Sequence, residues 1–167
     1  MIDSKRALFE TLHKDYHLMV LQLCMGFMKG DKDLAKDLSQ DIFINTWNAL
    51  EKFKGASTYK TWIYRITVNT CLKYLRGKKD KDRVSVDDIS HKLTDEPDTK
   101  VTGMHQTLYS AIGQLDKVDR LIIMMVLDEM EYEEIAAIMG ISEGNLRVKI
   151  HRIKKSLKDI IEYDKSR

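Results

Sequence analysis

Turn-forming residues are scarce in this chain, which has one proline and eight glycines in 167 residues. A β-sandwich or β-barrel needs many breakers between short strands, so this shortage argues against both. The two cysteines, Cys24 and Cys71, are too few for a disulfide scaffold or a four-cysteine zinc site, and they suit a reducing cytosol. No apolar run approaches the roughly 18 residues that span a bilayer, and residues 1–10 lack a signal-peptide core. We therefore expect a cytoplasmic protein with no membrane insertion.

Hydrophobic residues make up 43% of the chain, enough for a packed core, and they recur mostly at spacings of three and four. This period indicates amphipathic α-helices. The pattern predicts a helix over about 7–27, a second over 34–50 and a third after a loop at 53–58. We expect a break in the third helix near Asn69 and its end at Gly77. The expected fold class is all-α.

The helical pattern fades between residues 78 and 104, a stretch that holds Pro97, the only proline, and seven acidic residues. A structureless stretch of this length is longer than compact domains usually tolerate. The expected architecture is therefore two small helical domains, residues 1–77 and 105–167, joined by a flexible acidic linker at 78–104. A single six-helix domain with a long functional loop is the alternative.

Residues 132–150 carry the pattern of a helix-turn-helix, in which the second helix enters the DNA major groove. Small Ala136 allows close helix approach, Gly140 suits the left-handed position of a sharp turn, and Ser142 is a good N-cap for the next helix. The inward face of that second helix is expected to be Leu146, Ile150, Ile153 and Leu157. The second domain is therefore predicted to bind DNA.

Charge changes sign sharply across this motif: residues 116–143 hold 2 basic and 8 acidic side chains, and residues 144–167 hold 8 basic and 3 acidic ones. A basic face suits a polyanion, although a solvated surface helix is the competing interpretation. On a helical wheel, the residues that point outward or flank the outward face are Gly144, Asn145, Arg147, Val148, His151, Arg152 and Lys155. Those nearer the N-terminus are candidates for base edges, whereas Arg152 and Lys155 lie nearer the phosphates.

Three blocks of sequence form a recognisable set in this order. The first is D-L-S-Q-D-I-F-I-N-T-W at 37–47, and the second is F-x-G-x-S-x-Y-x-T-W-I-Y-R-I-x-x-N at 53–69. The third comprises L-x-x-x-x-R, Y-x-E-I-A and R-I-K-x-x-L within 115–157. Together they resemble the sigma factors of bacterial RNA polymerase, specifically the small extracytoplasmic-function group. The chain departs from the family pattern at Asp116, where a proline is frequent, and at Asn145-Leu146, where Thr-Val is frequent.

The resemblance implies a polymerase-binding helix, a promoter-melting segment and a promoter-reading helix-turn-helix. The expected polymerase-binding residues are Asp37, Gln40, Asp41 and Phe43, of which the first three share one helix face by their spacing. The residues expected to bind the minus-ten element and its unpaired strand are Tyr59, Arg65, Asn69, Thr70, Lys73 and Arg76. A loop carrying Asn69-Thr70 is expected to receive a flipped base. The residues expected to bind the minus-thirty-five element are the seven on or beside the outward face of the second helix of the helix-turn-helix.

The same resemblance implies three partners: core RNA polymerase, promoter DNA as duplex and as non-template single strand, and an anti-sigma factor. No cofactor, no metal and no catalysis by the chain are expected. His13 and His17 have metal-binding spacing without an evident third ligand, and both cysteines fall on apolar faces as expected core thiols. Trp47 and Trp62 are expected in the core, while Tyr64 fits either the core or the DNA surface.

Two other classes of protein share parts of this pattern. An autonomous helix-turn-helix regulator, the main alternative, needs a dimer seam or a ligand pocket in its first domain. A recombinase needs an activated nucleophile beside an arginine cluster, for which Ser4 with Arg6 is the only candidate. Co-purification with core polymerase, followed by promoter-dependent transcription, separates a sigma factor from both.

Overall fold

The structure is a computed structural model that describes the backbone of residues 2–81 and 103–167 and the side chains of residues 2–77 and 106–167. Within these residues the chain is all-α and has no strand, which confirms the predicted fold class. The helices are α1 Ile2–Phe27, α2 Lys32–Ala49, α3 Tyr59–Lys81, α4 Gly103–Gly113, α5 Lys117–Leu127, α6 Tyr132–Met139 and α7 Glu143–Lys165, with a 3-10 turn at Leu50–Lys52. Most of the predicted linker lies outside the described residues.

Two capping side chains set where α2 and α3 begin in the first domain. The Asp31 carboxylate accepts a hydrogen bond from the Leu34 backbone N–H at 3.1 Å, and the Thr58 hydroxyl accepts one from the Thr61 N–H at 3.2 Å. Each cap satisfies a backbone donor that the first turn of a helix leaves unpaired. The three helices then pack around a core that includes Val20, Leu23, Ile42, Ile63 and Val68.

Helix α3 differs from the prediction in two ways. It runs unbroken through Asn69, and it continues past Gly77 to Lys81. A glycine commonly ends a helix by taking a left-handed conformation, and Gly77 is not among the glycines with positive φ. The expected break at Asn69 and the expected end at Gly77 were therefore wrong. Asn69 and Thr70 lie on a helix face and not in a loop.

The second domain holds α4 to α7, and α6 with α7 forms the predicted helix-turn-helix. Gly140 ends α6 in the left-handed conformation, with φ 69° and ψ 32°, which a turn this tight requires. The Ser142 hydroxyl then accepts a hydrogen bond from the Asn145 backbone N–H at 3.2 Å and starts α7. The buried side chains of α7 are the four predicted ones, Leu146, Ile150, Ile153 and Leu157. The domain core therefore holds α7 by one face and leaves the opposite face to solvent.

The two domains pack directly on one another, with α1 against α4 and α5, and α3 against α6. Arg120 on α5 is buried in this contact: its Nε donates to the Leu115 carbonyl at 2.9 Å, and its Nη1 donates to the Phe27 carbonyl at 3.0 Å. The absence of a side chain at Gly26 allows the close approach, because a Cβ there would lie 2.4 Å from Sδ of Met124. One hydrophobic core therefore runs through both domains.

Tyr64 on α3 also lies in the contact between the domains. It is only 2% exposed, and its hydroxyl donates to the Asp128 carboxylate at the end of α5. Burial and this hydrogen bond together raise the pKa of Tyr64 well above its ordinary value. Lys60 adds an ion pair, with its Nζ 3.4 Å from Asp128 Oδ2. Tyr64 therefore belongs to the core between the domains.

Candidate nucleic-acid interface

The solvent face of α7 carries all seven residues that the sequence predicts for duplex DNA. Every one of them is exposed: Gly144, Asn145, Arg147, Val148, His151, Arg152 and Lys155. Lys149 helps to fix the helix from the side, since its Nζ lies 3.9 Å from Asp119 Oδ1 on α5. Burial raises the pKa of the Asp119 carboxyl, and the nearby Lys149 charge partly offsets that rise. The side of α7 opposite this face is buried in the domain core.

Two side chains outside the predicted set hold Arg147 in place. The Arg147 Nη2 atom lies 2.8 Å from Glu143 Oε1, and its Cζ lies 5.1 Å from the centre of the Tyr132 ring. The i, i+4 spacing of Glu143 and Arg147 is a sequence signal that points to this ion pair. No comparable signal places Tyr132 under the guanidinium, because that contact depends on the angle between α6 and α7.

Helix α3 presents a narrow polar stripe made of Arg65, Asn69, Lys73 and Arg76, all of them exposed. Their spacing of four, four and three residues places them on one helix face over a length of about 16 Å. Among the described side chains, none forms an ion pair with any of the three cations. A line of positive charge is suited to the backbone of a single nucleic-acid strand.

Thr70 and Tyr59, also predicted to bind DNA, are less accessible than this stripe. Thr70 is buried, and its hydroxyl donates to the Ile66 carbonyl at 2.7 Å and accepts from Asn45 Nδ2 at 3.1 Å. Tyr59 is half-buried and stacks on Phe53, with ring centres 4.5 Å apart. Asn45 on α2 is a residue of this region that the sequence-based prediction missed, because its contact with Thr70 joins two helices.

An acidic face on α2 carries the residues predicted to bind the polymerase. Asp37, Gln40 and Asp41 are exposed, and neither carboxylate has an ion-pair partner among the described residues. Phe43 is only 6% exposed, and the His13 ring of α1 covers it with ring centres 4.6 Å apart. Phe43 therefore packs against α1 and is not part of the exposed acidic face.

Both tryptophans, expected in the core, are half-buried. Trp62 is half-buried against the core and lies 5.0 Å from the Phe53 ring centre. Trp47 lies 5.2 Å from the Phe9 ring centre, and Lys5 Nζ lies 4.3 Å from the centre of its ring. Both rings pack against other side chains of the first domain.

The cysteine and histidine pairs were considered in the sequence for redox and metal chemistry. Contact with the buried Cys24 thiol, together with burial, holds the pKa of Cys71 well above its ordinary value. The His13 and His17 rings stack 5.4 Å apart, and within residues 2–77 and 106–167 no three potential metal ligands cluster. A search of the described helices for one long and apolar enough to cross a membrane finds none.

Two protein-family models match the chain, one in each domain. The Sigma-70 region 2 model matches residues 12–81, and the Sigma-70, region 4 model matches residues 105–157. The two matches fall on the domain that carries the α2 and α3 surfaces and on the domain that carries the helix-turn-helix.

Curated relatives align with nearly the whole chain. The ECF RNA polymerase sigma-E factor of Escherichia coli (strain K12) is 31% identical, and the alignment covers 92% of this chain and 86% of that protein. The RNA polymerase sigma-H factor of Pseudomonas aeruginosa is 30% identical with the same two coverages. The RNA polymerase sigma factor YlaC of Bacillus subtilis is 29% identical, over 92% of this chain and 91% of that one.

Solved structures share the fold. The sigma factor RpoE from Bartonella quintana, in a complex with the anti-sigma factor NepR, superposes with a TM-score of 0.73 over 93% of this chain and 99% of that one, at 21% identity. CnrH, in a complex with the cytosolic domain of CnrY, superposes with a TM-score of 0.66 over 95% and 90%, at 22% identity.

Proposed function

The chain belongs to the extracytoplasmic-function group of the sigma-70 family, and from this premise we propose that it binds core RNA polymerase and directs it to specific promoters. Residues 1–77 bind the polymerase and open the minus-ten element, residues 105–167 recognise the minus-thirty-five element, and residues 78–104 link the two. The observation that carries this proposal is the presence on one chain of three exposed surfaces of different chemistry: the acidic face of α2, the basic stripe of α3 and the outward face of α7.

The acidic face of α2 is the proposed polymerase contact. Asp37 and Asp41 are exposed carboxylates without an ion-pair partner among the described residues, so binding to a basic partner requires no internal ion pair to break. Gln40 shares the same face, and the buried Phe43 anchors α2 to α1 through the Phe9 and His13 rings. Charge complementarity of this kind speeds encounter and fixes the docking register. We assign the basic helices of the largest polymerase subunit as the partner.

The stripe on α3 is the proposed site for the unpaired strand of the minus-ten element. Arg65, Lys73 and Arg76 supply positive charge along the strand, and Asn69 supplies an amide that can donate to and accept from a base edge. Thr70 contributes through its hydrogen bonds to Ile66 and Asn45, which tie this part of α3 to α2. The half-buried Tyr59 provides an aromatic edge at the start of the helix.

The outward face of α7 is the proposed reader of the minus-thirty-five element. In a helix-turn-helix the N-terminal residues of the second helix lie deepest in the major groove, so Gly144, Asn145, Arg147, Val148 and His151 lie near base edges. Arg152 and Lys155 lie one to two turns later and contact phosphates. Sequence preference then comes from the first group, and a salt-dependent share of the affinity comes from the second.

The proposed regulation is by an anti-sigma factor that holds the protein inactive until an envelope or extracellular signal releases it. One of the solved structures named above is a complex of a sigma factor with an anti-sigma factor. The proposed place of action is the cytoplasm, where polymerase and promoter DNA are found. We assign the chain no catalytic step and no cofactor, because the proposed role is to bind and position other molecules.

Reconstituted transcription tests this proposal. The purified chain is mixed with core polymerase, passed through a sizing column and assayed for run-off transcription on a library of promoter fragments. We expect co-elution with core and transcripts from a subset of fragments only. DNA binding by the chain alone, with no effect on polymerase, would instead support the autonomous regulator. The variant Asp41→Arg serves as the matched control that should lose co-elution while keeping its thermal unfolding temperature.

A further inference from the structure

One apolar side chain stands out on the DNA-facing side of α7. Val148 is 51% exposed, and every other exposed residue in the first four turns of the helix is glycine or polar. The valine points away from the domain core, because Leu146 and Ile150 occupy the buried face. Val148 is not among the described hydrophobic side chains that pack on the core, and its position on α7 is one from which a side chain can contact bases.

Asn145 lies three residues earlier on the same side of α7. Its backbone N–H donates to the Ser142 hydroxyl at 3.2 Å, which fixes the main chain here. Its exposed side-chain amide has no hydrogen-bond partner among the described residues. Arg147, between the two, is instead held to Glu143 at 2.8 Å and lies over Tyr132. In this turn of α7 the side chains that remain available for DNA are therefore the amide of Asn145 and the branched alkyl group of Val148.

The chemistry of the major groove gives these two groups specific partners. Thymine presents the groove's apolar group, its C5 methyl, and adenine presents an acceptor and a donor that match an asparagine amide. Residues three apart on a helix are separated by about 4.5 Å along its axis, close to the rise between neighbouring base pairs of about 3.4 Å. We propose that Asn145 reads an adenine and Val148 reads a thymine methyl on the same or adjacent base pairs of the minus-thirty-five element. This inference rests on the proposed promoter-reading role of α7.

Base analogues test each contact by removing single groups from the DNA. Holoenzyme binding is measured on a promoter selected from the library, after each thymine of the upstream element is replaced in turn by deoxyuridine and each adenine by 7-deazaadenine. One uracil position should weaken binding about fourfold, the value of one buried methyl-sized group. One deazaadenine position should weaken it about fivefold, the value of one hydrogen bond.

Combining each base analogue with a substitution in the protein shows whether the two changes affect the same contact. Val148→Ala should lose its sensitivity to uracil at that position and keep its sensitivity to deazaadenine, and Asn145→Ala should show the reverse. Both sites are exposed, so thermal unfolding should match the unsubstituted protein. If Val148→Ala and uracil weaken binding independently, so that their effects multiply, the methyl contact is disproved. If Asn145→Ala and deazaadenine weaken binding independently, the Asn145 contact is disproved.

The two levels of the proposal fail in different ways. A holoenzyme that selects no upstream sequence, and whose binding is unchanged by Lys155→Ala, contradicts the promoter-reading role of α7 itself. A holoenzyme that selects an upstream element but is indifferent to every uracil and deazaadenine substitution contradicts only the reading by Asn145 and Val148. In that second case the selection must come from other residues of the face, with Arg147 as the first to substitute.

Discussion

The direct packing of the two domains predicts that the protein must open before it occupies a whole promoter. Compact domains of about 60–80 residues have radii of gyration of about 11 Å, so two of them in contact span roughly 60 Å from end to end. The minus-ten and minus-thirty-five elements are centred about 25 base pairs apart, which is about 85 Å of straight duplex. With α3 held against α6, we expect that the two proposed DNA sites, the stripe on α3 and the outward face of α7, cannot reach both elements at once.

A disulfide across the contact tests this requirement. Lys29 follows α1 in the first domain and Gly113 ends α4 in the second, and a Cβ on Gly113 would lie 3.1 Å from the Lys29 Cβ. Disulfides need about 3.5–4.5 Å between these atoms, so a shift of a few tenths of an ångström accommodates the bond in a Lys29→Cys, Gly113→Cys variant. Cys24 and Cys71 are fully buried in the first domain and do not compete for oxidation.

The readout is promoter-dependent transcription by holoenzyme assembled from the oxidised or the reduced variant. We expect at least a tenfold loss on oxidation and full recovery with a thiol reductant, while each single-cysteine variant responds to neither treatment. Gel mobility under non-reducing conditions shows how much of the sample carries the bond. Equal transcription from fully oxidised and reduced samples would refute the reasoning, because the closed arrangement would then serve a promoter as it stands.

Three further substitutions address single elements of the structure. Asp41→Arg should weaken core-polymerase binding by roughly 2 kcal/mol or more in a titration, because the new positive charge meets a basic partner. The control Asp15→Arg, on the exposed side of α1, should not weaken binding. Equal losses for the two variants would remove α2 from the interface. Asn69→Ala should preserve recruitment and reduce permanganate-reactive open complexes, with the exposed Asn48→Ala as control, and unchanged reactivity would count against it. Arg120→Met leaves two backbone carbonyls unpaired in the buried contact, so urea unfolding should show a loss of about 2–4 kcal/mol, and a loss below about 1 kcal/mol would contradict the structural role of the guanidinium.

The features that could be predicted from sequence are those decided by near neighbours. Gly140 and Ser142 act on residues within one turn of themselves, so their types alone predict the left-handed turn and the cap that the structure contains. The inward face of α7 follows from spacing for the same reason. Gly77 shows the limit of such reasoning: glycine permits a helix to end but does not force it, and α3 continues to Lys81.

The burial of individual side chains within a predicted binding region could not be predicted in the same way. Phe43 lies two residues after Asp41 on α2, but it is buried against the Phe9 and His13 rings, which belong to another helix. Thr70 likewise falls within the region predicted to bind DNA, and the partner of its hydroxyl, Asn45, is supplied by α2. A helical wheel gives the direction of a side chain relative to its own axis, and only the packed neighbours decide whether solvent reaches it.

The contact between the domains changes how two residues of the recognisable blocks are interpreted. Tyr64 lies inside the block that resembles a promoter-melting segment, yet its hydroxyl is committed to Asp128, 64 positions away. Arg120 lies inside the third block, and its guanidinium is committed in part to the Phe27 carbonyl, 93 positions away. A motif specifies residue types in order along the chain, whereas these bonds join segments that no local pattern relates. Substituting either residue therefore acts first on the closed arrangement of the domains, and the exposed stripe of α3 is the place to test DNA melting itself.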